Sequence, residues 1–288
     1  MPQKPRVFHD PSELRVAIRQ AQASGQRVGL VPTMGALHEG HLSLVAESQK
    51  SCDLTVVTIF VNPTQFAPGE DFEKYPRTLD TDLELLSRFE PVWVLAPEVE
   101  AMYPPGSTTE VKAPQIARML EGEFRPTHFD GVATIVLKLF QVAPADAAYF
   151  GQKDFQQVRV IEEMVRDLLV PIEVVRCPIV REEDGLAMSS RNRYLSADER
   201  QIALSISQTL DAACLQIERH ATNATTLCAE MLQCLRDDGV VPEYVTIADP
   251  RTLKSVETIE AEVVILVAAK VGTTRLIDNM LVSPPSSR

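Results

Sequence analysis

Apolar positions in the first part of the chain alternate between two spacings. Leu14, Ala17 and Ile18 share one helical face. Asp10 can cap that helix, Pro11 suits its first position, Glu13 stands three residues after the cap, and Gly25 ends it. Residues 28–31 form a short apolar run that leads through Pro32 and Gly35 into a helical pattern over about 38–49. Residues 54–61 are continuously apolar and β-branched, as expected of a strand buried on both faces of a parallel sheet. Helical patterns over about 80–89, 131–141 and 154–169 then alternate with short strands at 92–95, 147–150 and 172–177. Such alternation predicts an α/β domain with a parallel sheet, whose ligands bind at the carboxyl ends of the strands.

The pattern changes after Pro178. Residues 181–193 are polar and loop-like, and Ser196 with Glu199 forms a capping-box signature ahead of a long helix packed through Leu204, Ile206 and Leu210. A second helix is expected over 225–237, with strand-like runs at 244–247 and 263–268. The reading is therefore a Rossmann-like domain over residues 1–178 and a smaller α+β domain over 179–288, ending in a disordered SPPSSR tail.

Composition narrows the class. Of 288 residues, 45% are hydrophobic and 24% charged, which suits a soluble globular protein with a sizeable core. A net charge of −12 argues against nucleic-acid binding but leaves room for a small anion captured by local donors. Five cysteines, an odd number without a CxxC pair, argue against a disulfide framework or a zinc knuckle and fit a reducing cytoplasm. The chain lacks a signal-peptide pattern at its start, and no run reaches the ~18 apolar residues that span a bilayer.

Four segments carry candidate chemistry. In the first, Pro32-Thr33-Met34-Gly35-Ala36-Leu37-His38-Glu39-Gly40-His41, a strand gives way to a helix. A helix start offers free N–H groups to phosphate, and His38 and His41, three apart, project from one face. The pair can donate hydrogen bonds to phosphate, bind a metal, or be structural. The second, Met188-Ser189-Ser190-Arg191-Asn192, places hydroxyls and a guanidinium on a polar loop able to close on a triphosphate. In the third, Gly151-Gln152-Lys153-Asp154-Phe155-Gln156-Gln157, Lys153 offers a compact positive charge, Asp154 a ribose acceptor or a helix cap, and Gln157 an amide one turn on. The fourth, Phe60-Val61-Asn62-Pro63-Thr64-Gln65-Phe66, sets the Gln65 amide at the end of an apolar strand.

The HxGH of the first segment resembles the HIGH-type signature of the nucleotidyltransferase and class I aminoacyl-tRNA synthetase superfamily, and the MSSRN segment looks like its KMSKS counterpart. Together with YPRT at Tyr75 and HFDGV at His128, the four segments occur in the order and at the spacing of the pantothenate synthetase family, and the likeness covers nearly the whole chain. That family often has tyrosine where Phe155 stands and glycine where Thr127 stands.

The resemblance implies an AMP-forming ligase that activates pantoate with ATP as an acyl-adenylate and joins it to β-alanine. By motif it implies an ATP site of Met34, Gly35, Ala36, Leu37, His38, Glu39, Gly40, His41, Gly151, Gln152, Lys153, Asp154, Val180, Met188, Ser189, Ser190 and Arg191. It implies pantoate held by Gln65 and Gln157, β-alanine met by Gln65, and catalytic roles for His38, His41 and Lys153. His41 is the family's proton donor, although an imidazole beside phosphate can also act by hydrogen bonding alone. Magnesium on the phosphates, with no assigned ligand, and a cytoplasmic homodimer are further implications. Other small-molecule adenylyl- or cytidylyltransferases share the histidine motif but are not expected to carry FVNPTQF and GQKDFQQ together. A tRNA synthetase would need a tRNA-reading domain, and a nucleotide sensor without turnover would not need the full donor set of His38, His41, Lys153 and Arg191.

Overall fold

The computed structural model describes residues 4–67, 69–70, 72–220 and 222–285. It divides the chain into two compact units, Met1–Gly151 with Gln156–Pro178, and Gln152–Phe155 with Ile179–Arg288. The turn Gln152–Phe155 thus belongs with the second unit, although its sequence position lies inside the first.

In the first unit the strands are β1 (Arg6–Phe8), β2 (Val28–Thr33), β3 (Leu54–Ile59), β4 (Val92–Leu95), β5 (Ala147–Gly151) and β6 (Glu173–Cys177). Among the described residues they form one sheet in the order β1-β4-β3-β2-β5-β6, parallel throughout. The connecting helices are α1 (Pro11–Ala23), α2 (Glu39–Gln49), α3 (Leu79–Leu86), the short α4 (Val99–Met102) and α5 (Glu121–Phe124), α6 (His128–Val142) and α7 (Phe155–Asp167). The start of α1 is as its sequence predicts: the Asp10 carboxylate accepts Ser12 N at 2.6 Å, and Leu14, Ala17, Ile18 and Ala21 are its buried face. Leu14 and Ile18 are fully buried, each stabilising the fold by about 1.5–3 kcal/mol. Val31, Val57, Val94 and Tyr149 carry the core across the sheet.

The strand expected over 54–61 stops at Ile59. Asn62 caps a 3-10 turn at Pro63–Gln65, and Pro63, which has no N–H to offer a ladder, turns the chain away from the sheet. The helix expected over 154–169 begins at Phe155, after a 3-10 turn at Gln152–Asp154.

The second unit contains α8 (Ala197–Glu218), α9 (Ala224–Asp237) and the strands β7 (Val241–Ala248), β8 (Val263–Val271) and β9 (Thr274–Val282). The strands form an antiparallel sheet, with α8 on β8 and β9 and α9 on β7. Its core is separate, built from residues such as Ile206, Leu210, Met231, Leu235, Ile265 and Val267. The predicted capping box is present: Glu199 N donates to Ser196 Oγ and Ser196 N to Glu199 Oε2. No helix among the described residues is long and apolar enough to cross a membrane. The expectation of a disordered tail concerns in part residues 286–288, which lie outside the described residues; residues 283–285 have no regular secondary structure.

Candidate functional site

The strand order fixes where a ligand site belongs. Chain progression runs outward from β2 through β3 and β4 on one side and through β5 and β6 on the other, so the strand order reverses between the parallel neighbours β2 and β5. Parallel sheets bind ligands beyond the carboxyl ends of the strands at such a reversal. The segments following β2 and β3 hold Met34–His41 and Gln65, and Gly151 is the last residue of β5.

After β2 the chain makes a tight reversal. Gly35 and Ala36 both have left-handed backbone, with φ of +82° and +51°. A Cβ on Gly35 would lie 3.0 Å from Ile59 and 3.1 Å from an Asp82 carboxylate oxygen, so glycine serves both the conformation and the fit. Asp82, on α3 and 1% exposed, holds this loop. Its carboxylate accepts Ala36 N at 3.1 Å, Leu37 N at 2.8 Å and the Thr78 hydroxyl at 3.3 Å. His38 is the N-cap of α2. Its backbone N–H points to His41 Nδ1 at 3.4 Å, and the two rings lie 4.0 Å apart, so the histidines share one face. Because Nδ1 of His41 accepts, the proton of the neutral ring sits on Nε2. The Glu39 carboxylate pairs instead with Arg88 at 2.8 Å, which leaves its backbone in the first turn of α2 as the group able to meet an anion.

After β3, Asn62 organises the segment. Almost wholly buried, it donates from Nδ2 to Gln65 Oε1 and Gly131 O, both at 3.2 Å, and accepts from Thr64 and from the Tyr103 hydroxyl. The Gln65 Nε2 lies 3.0 Å from Met34 Sδ, which brings the β2 and β3 segments together. Behind it, the Gln65 carbonyl accepts from His128 at 2.9 Å and Arg125 at 3.4 Å, while Arg125 grips Glu70 in a two-point ion pair. A carbonyl cannot donate, so His128 carries its proton on Nδ1. Burial, assisted by the Arg125 charge, pushes the His128 pKa down to about 4, and the ring is neutral at pH 7.

The adjacent glutamines of the GQKDFQQ segment part company. Gln156 is buried and spends its amide on Glu121 N, Ile116 O and Met119 O, which ties α7 to α5 and its approach. Gln157, half-buried one position on, remains the candidate ligand.

In the second unit, residues 180–188 close a tight hairpin. Met188 N donates to Val180 O at 2.9 Å and Glu182 N to Leu186 O at 2.8 Å. Ser189 then caps a 3-10 turn, Ser190–Tyr194, with its Oγ accepting Arg191 N. Buried Asn192 binds Glu182 Oε1 and Ala187 O, and Arg200 pairs with Glu182 and Asp184. The loop-like stretch of the sequence is thus a pinned hairpin and turn. The Lys153 turn lies in the same unit, and Asn279 donates to the Gln152 and Lys153 carbonyls at 3.0 and 2.9 Å. Beside it, Asp278 forms a two-point ion pair with Arg181, at 2.7 and 3.1 Å. Burial raises the Asp278 pKa, against the opposing pull of Arg181 and, more weakly, Lys153.

Asp82, Asn62, His128, Asp278 and Asn279 are the residues that sequence reasoning did not single out. A signal existed for Asp82: it interrupts the apolar face that Leu79, Leu83 and Leu86 make on α3, and an acid on a buried face must have partners. Among the described residues, no cluster of three His, Cys, Asp or Glu forms a metal cage.

The sheet reversal, with a histidine-bearing loop opening a helix beside it, defines an α/β protein of the Rossmann-like class. Within that class, the chain belongs to the pantoate–β-alanine ligase family, whose model matches residues 6–281. It is 48% identical to the pantothenate synthetase of Acetivibrio thermocellus over 96% of this chain and 99% of that protein. It superposes on the crystal structure of pantothenate synthetase from Thermus thermophilus with a TM-score of 0.90 at 41% identity, covering 96% of this chain and 98% of that one. The pantoate–β-alanine ligase of Francisella tularensis, crystallised with a β,γ-ATP compound and β-alanine, matches with a TM-score of 0.79 at 32% identity over 96% of this chain and 97% of that one.

Proposed function

We propose that this chain carries out the reaction for which its family is named, the ATP-driven condensation of (R)-pantoate with β-alanine to pantothenate, AMP and pyrophosphate, by way of a pantoyl-adenylate. The observation that carries the reading is the placement of the His38–His41 loop at the reversal of strand order, with Gln65 from the turn after the neighbouring strand held against Met34.

In the first step a pantoate carboxylate oxygen attacks the α-phosphorus of ATP, and the bond to the leaving pyrophosphate breaks. In the second, the β-alanine amine attacks the activated carbonyl carbon, AMP leaves with the bridging oxygen, and the amine gives up a proton. Negative charge builds on phosphate oxygens in the first step, so donors already in place lower the barrier most. Residues 34–41, with Gly151, Gln152, Lys153, Asp154, Val180, Met188, Ser189, Ser190 and Arg191, form the ATP site in this reading. The His41 tautomer supports action by hydrogen bonding: with Nδ1 accepting, Nε2–H is the donor a phosphate oxygen can receive. Lys153 supplies a point charge and Arg191 a planar fork.

Gln65 and Gln157 hold pantoate, and Gln65 also meets β-alanine. The Gln65 Nε2 faces a thioether sulfur, a weak acceptor, and gains by turning to a hydroxyl or carboxylate oxygen. Magnesium bound to the ATP phosphates would neutralise part of their charge, and no residue of this chain is assigned to hold it. Asp82 is committed to backbone N–H groups of the loop. The homodimer and the cytoplasmic setting rest on the family resemblance, and sedimentation of the purified chain tests the first.

The deciding experiment is pyrophosphate release from ATP and magnesium. Release that requires pantoate, with sustained turnover to AMP and pantothenate only when β-alanine is added, is expected. A folded chain that binds ATP yet releases no pyrophosphate with pantoate overturns the substrate assignment.

A further inference from the structure

An asparagine in the middle of a strand is a poor β-former, and a buried amide must find partners. Asn279 sits in β9, opposite Leu266 of β8, and is 1% exposed. It spends both N–H groups on one short turn more than a hundred residues away. One goes to the Gln152 carbonyl at 3.0 Å, the other to the Lys153 carbonyl at 2.9 Å. Its own oxygen faces Gln152 Nε2 at 3.4 Å.

Those two carbonyls are not an arbitrary pair. They belong to the peptide groups on either side of the Lys153 Cα. Fixing both peptide planes fixes the backbone angles of Lys153 and hence the direction of its Cα–Cβ bond. A four-carbon stem magnifies any error in that direction at the ammonium. The neighbouring residue on the strand, Asp278, does the parallel task for the hairpin that carries Met188–Arg191, through its two-point pairing with Arg181. Consecutive residues of β9 point to opposite faces of the sheet, and these two thereby tie two cationic segments to one strand of one compact unit.

We propose that Asn279 is a positioning residue for the reaction, holding the Lys153 turn so that the ammonium meets the ATP phosphates in register with the Ser189–Arg191 turn. The inference rests on the assignment of Lys153 to phosphate made above. It explains why two consecutive polar residues stand between the apolar pairs Leu276–Ile277 and Met280–Leu281 of the strand at a cost in β-propensity.

The test is a double-mutant cycle in the full chain, with Asn279→Ala, Lys153→Ala and the pair, read as kcat and KM for ATP and for pantoate, with thermal unfolding alongside. Asn279→Ala is expected to lower kcat/KM for ATP by about 10- to 100-fold, the scale of a displacement of about 1 Å at a reacting group. The pair is expected to be no slower than Lys153→Ala alone, because residues acting through one another are not additive. Losses that multiply in the pair, or an Asn279→Ala chain with ATP usage within about twofold of the parent, overturn the proposal. If Asn279→Ala does not fold, Asn279→Ser, which keeps one donor, takes its place in the same cycle under the same criteria. A Lys153→Ala chain that uses ATP normally sinks the phosphate role of Lys153 itself, and that failure is visible in the single variant without reference to Asn279.

Discussion

Replacing Asp82 with asparagine tests the claim that one buried carboxylate shapes the histidine loop. The carboxylate accepts Ala36 N at 3.1 Å on one oxygen and Leu37 N at 2.8 Å on the other. Asparagine keeps one oxygen and turns an NH2 toward the second backbone N–H. A hydrogen bond to a charged group contributes about 1.5–3 kcal/mol, and a buried donor left facing another donor costs about 1–3 kcal/mol. The loop also carries a left-handed alanine, Ala36, a conformation unfavourable by about 1–2 kcal/mol that the carboxylate helps to hold. Loss of one charged bond should therefore destabilise the first unit by about 2–4 kcal/mol. For a domain of this size that is a fall in Tm of roughly 5–15 °C. Activity should fall further than residual folding explains, because His38 follows Leu37 directly; a shift near 1 Å corresponds to about a 100-fold loss in pantoate-dependent pyrophosphate release. Both quantities come from one preparation, by calorimetry and by a coupled pyrophosphate assay below the lowered Tm. An Asp82→Asn chain with the parent's Tm and kcat would refute the reasoning.

Three other outcomes follow from the same geometry. A methyl group at Gly131 would lie 2.3 Å from the Thr64 carbonyl oxygen and 2.8 Å from Gln65 Cα, so Gly131→Ala should cost about 1–3 kcal/mol of stability and raise KM for pantoate; unchanged KM and Tm would count against the packing of α6 on the Gln65 turn. Gln65→Ala should weaken pantoate and β-alanine usage while leaving ATP affinity, measured by calorimetry, nearly intact; a large loss of ATP affinity would show Gln65 to be misplaced. The neutral, buried His128 adds a pH dependence: its stabilising contribution is complete above its unfolded pKa of about 6.5 and is lost as pH falls toward the folded value of about 4, an effect on the order of 3 kcal/mol. Urea unfolding at pH 7 and pH 4.5 should show that loss in the parent and not in His128→Gln, whose amide can still donate to the Gln65 carbonyl; parallel losses in both would remove His128 as the cause.

The sheet and its helices were legible because burial on both faces leaves a plain mark, the continuous apolar run of β3 or the capped, periodic face of α1. Elements below that threshold were not. Strand β1 has three residues at the sheet edge, and α4 and α5 have four each, too few for a period to show. Strand β9 was missed for a different reason: Asp278 and Asn279 break the apolar pattern where a core strand should be most regular. The second unit resumes at Ile179 and also takes in the turn Gln152–Phe155, which no composition shift marks. Candidate ligand residues were readable because each cluster is contiguous in the chain. The residues that hold them were not, since Asp82 acts across 45 and 46 residues, His128 across 63 and Asn279 across 126 and 127.

That division between contacting and holding residues bears on a physical puzzle, a chain of net charge −12 that takes a polyanionic substrate. Several acids near the candidate segments are paired and do not stand as open charges. Asp82 is neutralised in effect by two backbone N–H groups, Asp278 by Arg181, Glu70 by Arg125, and Glu182 by Arg200 and Asn192. A carboxylate so paired presents little repulsion to a phosphate, and surface acids farther off are screened beyond about 8 Å at physiological salt. The same pairing orients the backbone that carries the candidate phosphate donors. In this arrangement acidic residues help to fix candidate segments: Asp82 holds the backbone that leads into His38 and His41, and Asp278 and Glu182 hold the hairpin that leads into Arg191, the residues proposed above to meet the phosphates.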